Sequence, residues 1–174
     1  MDDFVRLGPA PSECSQLRRS EYELFPMQGP DLDKQQTLTF NENNIAEFRA
    51  SSGRIASFGD APLLLLSTTG ARSGQRRTSP MMYLADEDNP NRVYVFASAA
   101  GADQNPAWFH NTVSHPDDIE VELGDERYPA TAEVLPDPRR AEVYALQASR
   151  YPGFAGYQEK TSRLIPVIAL MLQR

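Results

Sequence analysis

Four consecutive leucines, Leu63 to Leu66, run into Ser67-Thr68-Thr69 and predict a strand. A Gly-punctuated loop follows, and Thr78 to Ala85 predicts a second strand. Across the polar turn Asp86-Glu87-Asp88-Asn89-Pro90-Asn91, the stretch Arg92 to Ser98 predicts a third, antiparallel to the second as a hairpin. Asp118 to Leu123 and Arg127 to Leu135 predict two more, joined by Gly124-Asp125-Glu126. Leu164 to Met171 predicts the last strand, and Pro166 within it points to a sheet edge.

Helical spacing marks three places, while a Ser12-to-Leu24 helix would have only the poor stripe Leu17, Tyr22 and Leu24. Asn41 or Asn43 caps a helix to about Ser52, with Ile45, Phe48 and Ile55 inward and Gly53 as its stop. Asn105 as N-cap and Pro106 as first helical residue open a second helix to Ser114, ended by His115-Pro116. Asp137-Pro138 opens a third to about Arg150, with Val143 and Leu146 on one face. Tyr151 to Tyr157, interrupted by Pro152, Gly153 and Gly156, reads as a wall over the sheet rather than as a regular helix. Residues 1–36, rich in Pro, Ser and charge, read as an irregular arm, and 37–174 as one domain. The order predicts an α+β barrel of about six mostly antiparallel strands with flanking helices, not an alternating β/α sheet.

Composition narrows the function. A net charge of −7 with 40% apolar residues fits a globular protein and argues against nucleic-acid binding. The apolar runs are too short to span a bilayer, which excludes a transmembrane segment and leaves peripheral membrane contact and oligomeric state open. Met1-Asp2-Asp3 lacks the basic start of a secretory signal, and the single Cys14 has no disulfide partner within the chain, so the expected location is cytoplasmic. His110 and His115, five apart with no third ligand at fixed spacing, make a poor metal site, so no metal is expected. With no Gly-x-Ser-x-Gly and Cys14 in the arm, nucleophilic hydrolysis has no support.

One stretch stands out in charge. Between Ala61 and Ala85 the charged residues are Arg72, Arg76 and Arg77, in a chain with 24 acids and 17 bases. Guanidinium forks and Gly-freed backbone N–H groups can grip phosphate or carboxylate, whereas a plain solvated hairpin needs neither.

Thr68-Thr69-Gly70-Ala71-Arg72-Ser73-Gly74, Pro80 to Leu84, Ala97 to Ala102, Asn105 to Asn111, Tyr151 to Gln158 and Arg163 to Val167 occur in this order. Together they resemble the deazaflavin (coenzyme F420)-dependent nitroreductase family. The resemblance implies a split β-barrel of the flavin-mononucleotide-binding type and the cofactor coenzyme F420, an 8-hydroxy-5-deazaflavin with an anionic tail. It implies cofactor contacts from Arg72, Ser73, Gly74, Arg76 and Arg77 in the turn. Further contacts fall on Pro80 and Met82, on Ala97, Ser98 and Ala99, and on Trp108 and Asn111. It places the substrate pocket at Tyr151, Phe154 and Tyr157, with Tyr151 or Tyr157 protonating the product. The implied activity is hydride transfer from reduced F420 to a conjugated, electron-poor, apolar small molecule such as a quinone, enone or nitroaromatic. A non-catalytic deazaflavin carrier and a flavin-mononucleotide or haem protein on the same barrel are the alternatives. The chain departs from the family pattern at Ala71, Ala99, Met82 and Phe154, where many members carry Lys or Arg, Lys, Tyr and Tyr.

Overall fold

The computed structural model describes residues 34–174, in which six antiparallel strands close into a barrel with helices packed against it. In chain order the elements are α1 (Lys34–Ala50), β1 (Leu63–Thr69), β2 (Arg76–Ala85), β3 (Arg92–Phe96) and α2 (Ala107–Ser114). They continue with β4 (Ile119–Leu123), β5 (Glu126–Val134), α3 (Arg139–Arg150), α4 (Gly153–Glu159) and β6 (Val167–Leu172). The strands are ordered β1-β2-β3-β6-β5-β4 around the barrel.

The leucine run reflects this geometry. Side chains alternate between the faces of a strand, so a continuous apolar run needs both faces covered. Leu64 and Leu66 join Val95, Val121, Ile168 and Leu170 in a cluster drawn from strands all round the barrel, which is its interior. Leu63 and Leu65 join Phe48 of α1, Val143 and Tyr144 of α3 and Phe154 of α4 in a second cluster between the outer wall and the helices. Burying each leucine contributes about 1.5–3 kcal/mol, so β1 anchors both cores at once. Arg49 adds a forked bond from α1, its Nε and Nη2 donating to the buried Glu122 of β4 at 3.0 and 2.5 Å.

Several sequence expectations are corrected. The first helix begins at Lys34, ahead of Asn41 and Asn43, so residues 34–36 belong to α1 and the rest of the expected arm lies outside the described residues. It ends as expected, with Gly53 at φ 96° and its N–H donating to the Phe48 carbonyl at 2.8 Å. Pro106, not Asn105, is the N-cap of α2. The Asn105 amide oxygen instead accepts from Arg163 at 2.8 Å, a partner 58 residues away. Leu146 is exposed, and α3 buries Val143, Tyr144 and Gln147. Gly153–Glu159 is helical after all, because Pro152 sits at the N-cap, where its missing N–H costs nothing. Pro166 precedes β6, and β6 lies between β3 and β5 rather than at an edge.

Candidate functional site

The β1–β2 connection turns at Gly70, whose N–H donates to the Gln75 carbonyl at 2.9 Å while its own carbonyl accepts from Gly74 N–H at 2.8 Å. Ala71 to Arg77 are all exposed. The three arginines differ in what they already hold. Arg76 Nη1 donates to Asp118 Oδ1 at 2.8 Å, to the Asp118 carbonyl at 3.0 Å and to Thr69 Oγ1 at 3.4 Å. The Thr69 hydroxyl and the Arg76 cation hold the Asp118 carboxyl below the usual carboxylate range. Arg77 Nη2 donates to Gln75 Oε1 at 2.9 Å. Arg72 has no hydrogen bond or ion pair among the described residues, so its fork stands free beside Ser73 and Gly74.

Asn111 ties this turn to α2. Its Oδ1 accepts from the Ala71 N–H at 3.0 Å and its Nδ2 donates to Thr68 Oγ1 at 3.3 Å, with the side chain buried. Trp108 lies three residues earlier on the same helix, hence on the same face about 5–6 Å away. Trp108 borders an open cleft formed with Pro80, Met81 and Met82 of β2, Phe96 at the end of β3, the Ser98-Ala99-Ala100 segment, Phe58, and Phe154 and Tyr157 of α4. The lining is mostly apolar and contains no charged side chain. An apolar cleft and a basic turn are thus joined through one helix.

The small-residue wall of the cleft is strained. Ala99 and Ala100 hold φ values of 46° and 53°, and Gly101 follows at 85°. For alanine the left-handed region costs about 1–2 kcal/mol per residue. The wall that α4 supplies is tied in place: Phe154 packs edge-on against Phe96 and Tyr157, with centroids 5.3 and 5.5 Å apart, and Tyr144 Oη donates to the Phe154 carbonyl at 2.7 Å. Burial pushes the Tyr157 phenol above the ordinary tyrosine value, so it stays protonated at neutral pH. Its hydroxyl has no hydrogen-bond partner among the described residues.

Of the residues the sequence singled out, Pro80, Met82, Ser98, Ala99, Trp108, Phe154 and Tyr157 meet in the cleft. Arg72, Ser73, Gly74, Arg76 and Arg77 form the turn, and Asn111 stands between. Ala97 is fully buried in the barrel interior and does not line the cleft. Tyr151, at the end of α3, packs on the outer cluster and is likewise absent from the lining. Ala100 belongs to the Ser98–Gly101 loop that the resemblance lays against the coenzyme, and Phe58, Met81 and Phe96 are additions. Met81 and Phe96 are legible in the sequence only as strand residues, and nothing in the sequence brings Phe58 to the site.

A model of the F420H(2)-dependent quinone reductase family matches residues 41–171. The F420H(2)-dependent quinone reductase Rv1261c of Mycobacterium tuberculosis is 38% identical over 133 residues, covering 72% of this chain and 85% of the relative. Among solved structures, an F420-H2-dependent reductase (FDR-A) aligns with a TM-score of 0.55 at 36% identity, over 63% of this chain and 93% of its own. A structure described as a domain-swapped dimer aligns with a TM-score of 0.57 at 32% identity, over 74% and 96%.

Proposed function

The chain belongs to the F420H(2)-dependent quinone reductase family, and from that premise we propose that its cleft and basic turn receive reduced coenzyme F420 and pass a hydride to a quinone, enone or nitroaromatic. That the protein is an F420-dependent oxidoreductase follows from the family; the acceptor class and the residue roles are this proposal's own. The observation that carries them is the placement of Trp108 in the apolar cleft and Asn111 against the basic turn, three residues apart on α2. A ligand with a flat ring at one end and anionic groups at the other needs such a pairing.

The donor set fits the coenzyme. Arg72, exposed beside Ser73 and Gly74 and unpaired among the described residues, suits a phosphate or carboxylate, and Arg77 can turn from Gln75 to add a second cation. Pro80, Met82 and Trp108 offer apolar surface for the ring and keep water from it. When bound, the reduced deazaflavin supplies the hydride; orientation, desolvation and the proton come from the protein. Tyr157 carries that proton, because it lines the cleft, its hydroxyl has no hydrogen-bond partner among the described residues and burial holds it neutral. Tyr151, off the lining, is not given this role.

The test is anaerobic oxidation of reduced F420 followed in the visible spectrum, with a naphthoquinone, an enone and a nitroaromatic as acceptors. The expected result is catalytic consumption with at least one of them, slowed when deuterium replaces the transferable hydrogen at C5. Tight coenzyme binding with no consumption across the panel would mark a carrier instead.

A further inference from the structure

Arg163 belongs neither to the cleft lining nor to the basic turn, yet its guanidinium makes four hydrogen bonds to one segment. Nε donates to the Ala102 carbonyl at 2.8 Å and Nη1 to Asn105 Oδ1 at 2.8 Å. Nη2 donates to the carbonyls of Ala97 at 3.1 Å and Ser98 at 2.9 Å. Ser98 and Ala102 are the two feet of the left-handed turn Ala99 to Gly101. A planar fork with donors fixed in direction bridges both feet, which a single ammonium cannot do.

The same residue is also tied to α4. Its backbone carbonyl accepts from Gln158 Nε2 at 2.7 Å, and Gln158 Oε1 accepts from the Ile165 N–H at 3.1 Å. Gln158 follows Tyr157 on α4, and Thr161 Oγ1 donates to Asp103 Oδ1 at 3.2 Å to close the same junction. The fit leaves no room: a Cβ on Gly101 would stand 2.8 Å from both the Tyr157 carbonyl and Lys160 Cβ. Arg163 forms no ion pair among the described residues, so its half-buried cation is held chiefly by backbone and amide dipoles, with the Asp103 carboxylate adding a weaker attraction. A charge kept on such terms serves geometry better than it serves stability.

Resting on the F420 reading above, we propose that Arg163 is a positioning residue: it fixes the Ser98-Ala99-Ala100 wall against α4 at the spacing the deazaflavin cleft needs. Ala99 and Ala100 would otherwise relax to right-handed or extended backbone and alter that wall. Arg163 touches neither coenzyme nor acceptor and acts through the loop.

The experiment compares wild type, Arg163→Lys and Arg163→Ala for affinity toward oxidised F420 by fluorescence titration, for kcat and KM with a naphthoquinone, and for thermal melting. All binding is measured well below each melting temperature, with and without added guanidinium. The expected result is at least tenfold weaker coenzyme binding in Arg163→Ala, a smaller loss in Arg163→Lys, and recovery of affinity in Arg163→Ala alone when guanidinium is added. Folded variants that bind and turn over like wild type would overturn the inference, as would guanidinium that restores melting temperature without affinity. Should Arg163→Ala not fold, Arg163→Lys with unchanged affinity overturns it equally. Failure of wild type itself to bind F420 would instead sink the functional reading.

Discussion

Arg76 Nη1 and Asp118 Oδ1 stand 2.8 Å apart, so the second arginine of the turn is committed to the entrance of β4. Arg72, four residues earlier, pairs with no acid among the described residues. Arg72→Glu should therefore weaken F420 binding by about 2 kcal/mol or more, because a charge-assisted contact is lost and a repulsive one gained. Arg76→Gln should change F420 affinity little, because that fork is already engaged by Asp118. Titration of both variants at two salt concentrations checks this, with the salt response diminished only in Arg72→Glu. Equal losses would mean Arg76 leaves Asp118 to hold the coenzyme.

Tyr157→Phe removes only a hydroxyl. If that hydroxyl donates the product's proton, kcat should fall by about 10²-fold while the dissociation constant for F420 stays within about twofold. The protonated phenol is the active form and burial raises its pKa, so the wild-type rate should persist through the ordinary tyrosine value of about 10 and fall only above it. Steady-state kinetics across pH decide the matter. A variant with unaltered kcat would leave proton delivery to water.

Phe154 is both cleft wall and core, 7% exposed and in ring contact with Phe96, Tyr144 and Tyr157. Phe154→Ala should cost about 3–5 kcal/mol of stability and raise KM for apolar acceptors. Phe154→Leu should retain most of the stability and still raise KM. Urea denaturation beside kinetics separates the two effects, and an unchanged KM in a folded variant would return Phe154 to the core alone.

Asp86, 8% exposed, accepts from the Tyr94 hydroxyl, from the N–H groups of Asp88 and Asn89 at 2.9 and 3.2 Å, and pairs with Arg92 at 2.8 Å. Burial alone would raise its carboxyl pKa, but Tyr94, the backbone donors and Arg92 together hold it below the usual range. Its stabilising contribution is therefore complete above the unfolded value of about 3.9 and disappears as pH falls through the lower folded value. Asp86→Asn should cost about 1–3 kcal/mol at neutral pH, and the gap to wild type should narrow in acid. Chemical denaturation at pH 7 and near pH 3 measures it, and a gap that does not narrow would contradict the account.

Strand content was legible because it is written locally. Leu63 to Thr69 and Arg92 to Phe96 carry β-forming residues between turn signals, and the structure keeps both. What escaped depends on distant partners. Asn105 looks like a cap until Arg163 takes its side chain, and Pro166 looks like an edge marker until β6 is flanked by β3 and β5. Pro152 reads as a breaker, yet in the N-cap position it opens α4. The left-handed alanines at 99 and 100 leave no sequence signature, since alanine rarely adopts that region. Most of the cleft is legible through family resemblance rather than through residue spacing; Tyr151 and Ala97, which the same resemblance implies, pack elsewhere.

The most direct measurement is fluorescence titration of the purified protein with oxidised coenzyme F420, with flavin mononucleotide as competitor. The account predicts saturable binding that excess flavin mononucleotide does not displace and that Arg72→Glu weakens. Absence of saturable F420 binding, or displacement by flavin mononucleotide at equal concentration, would contradict it.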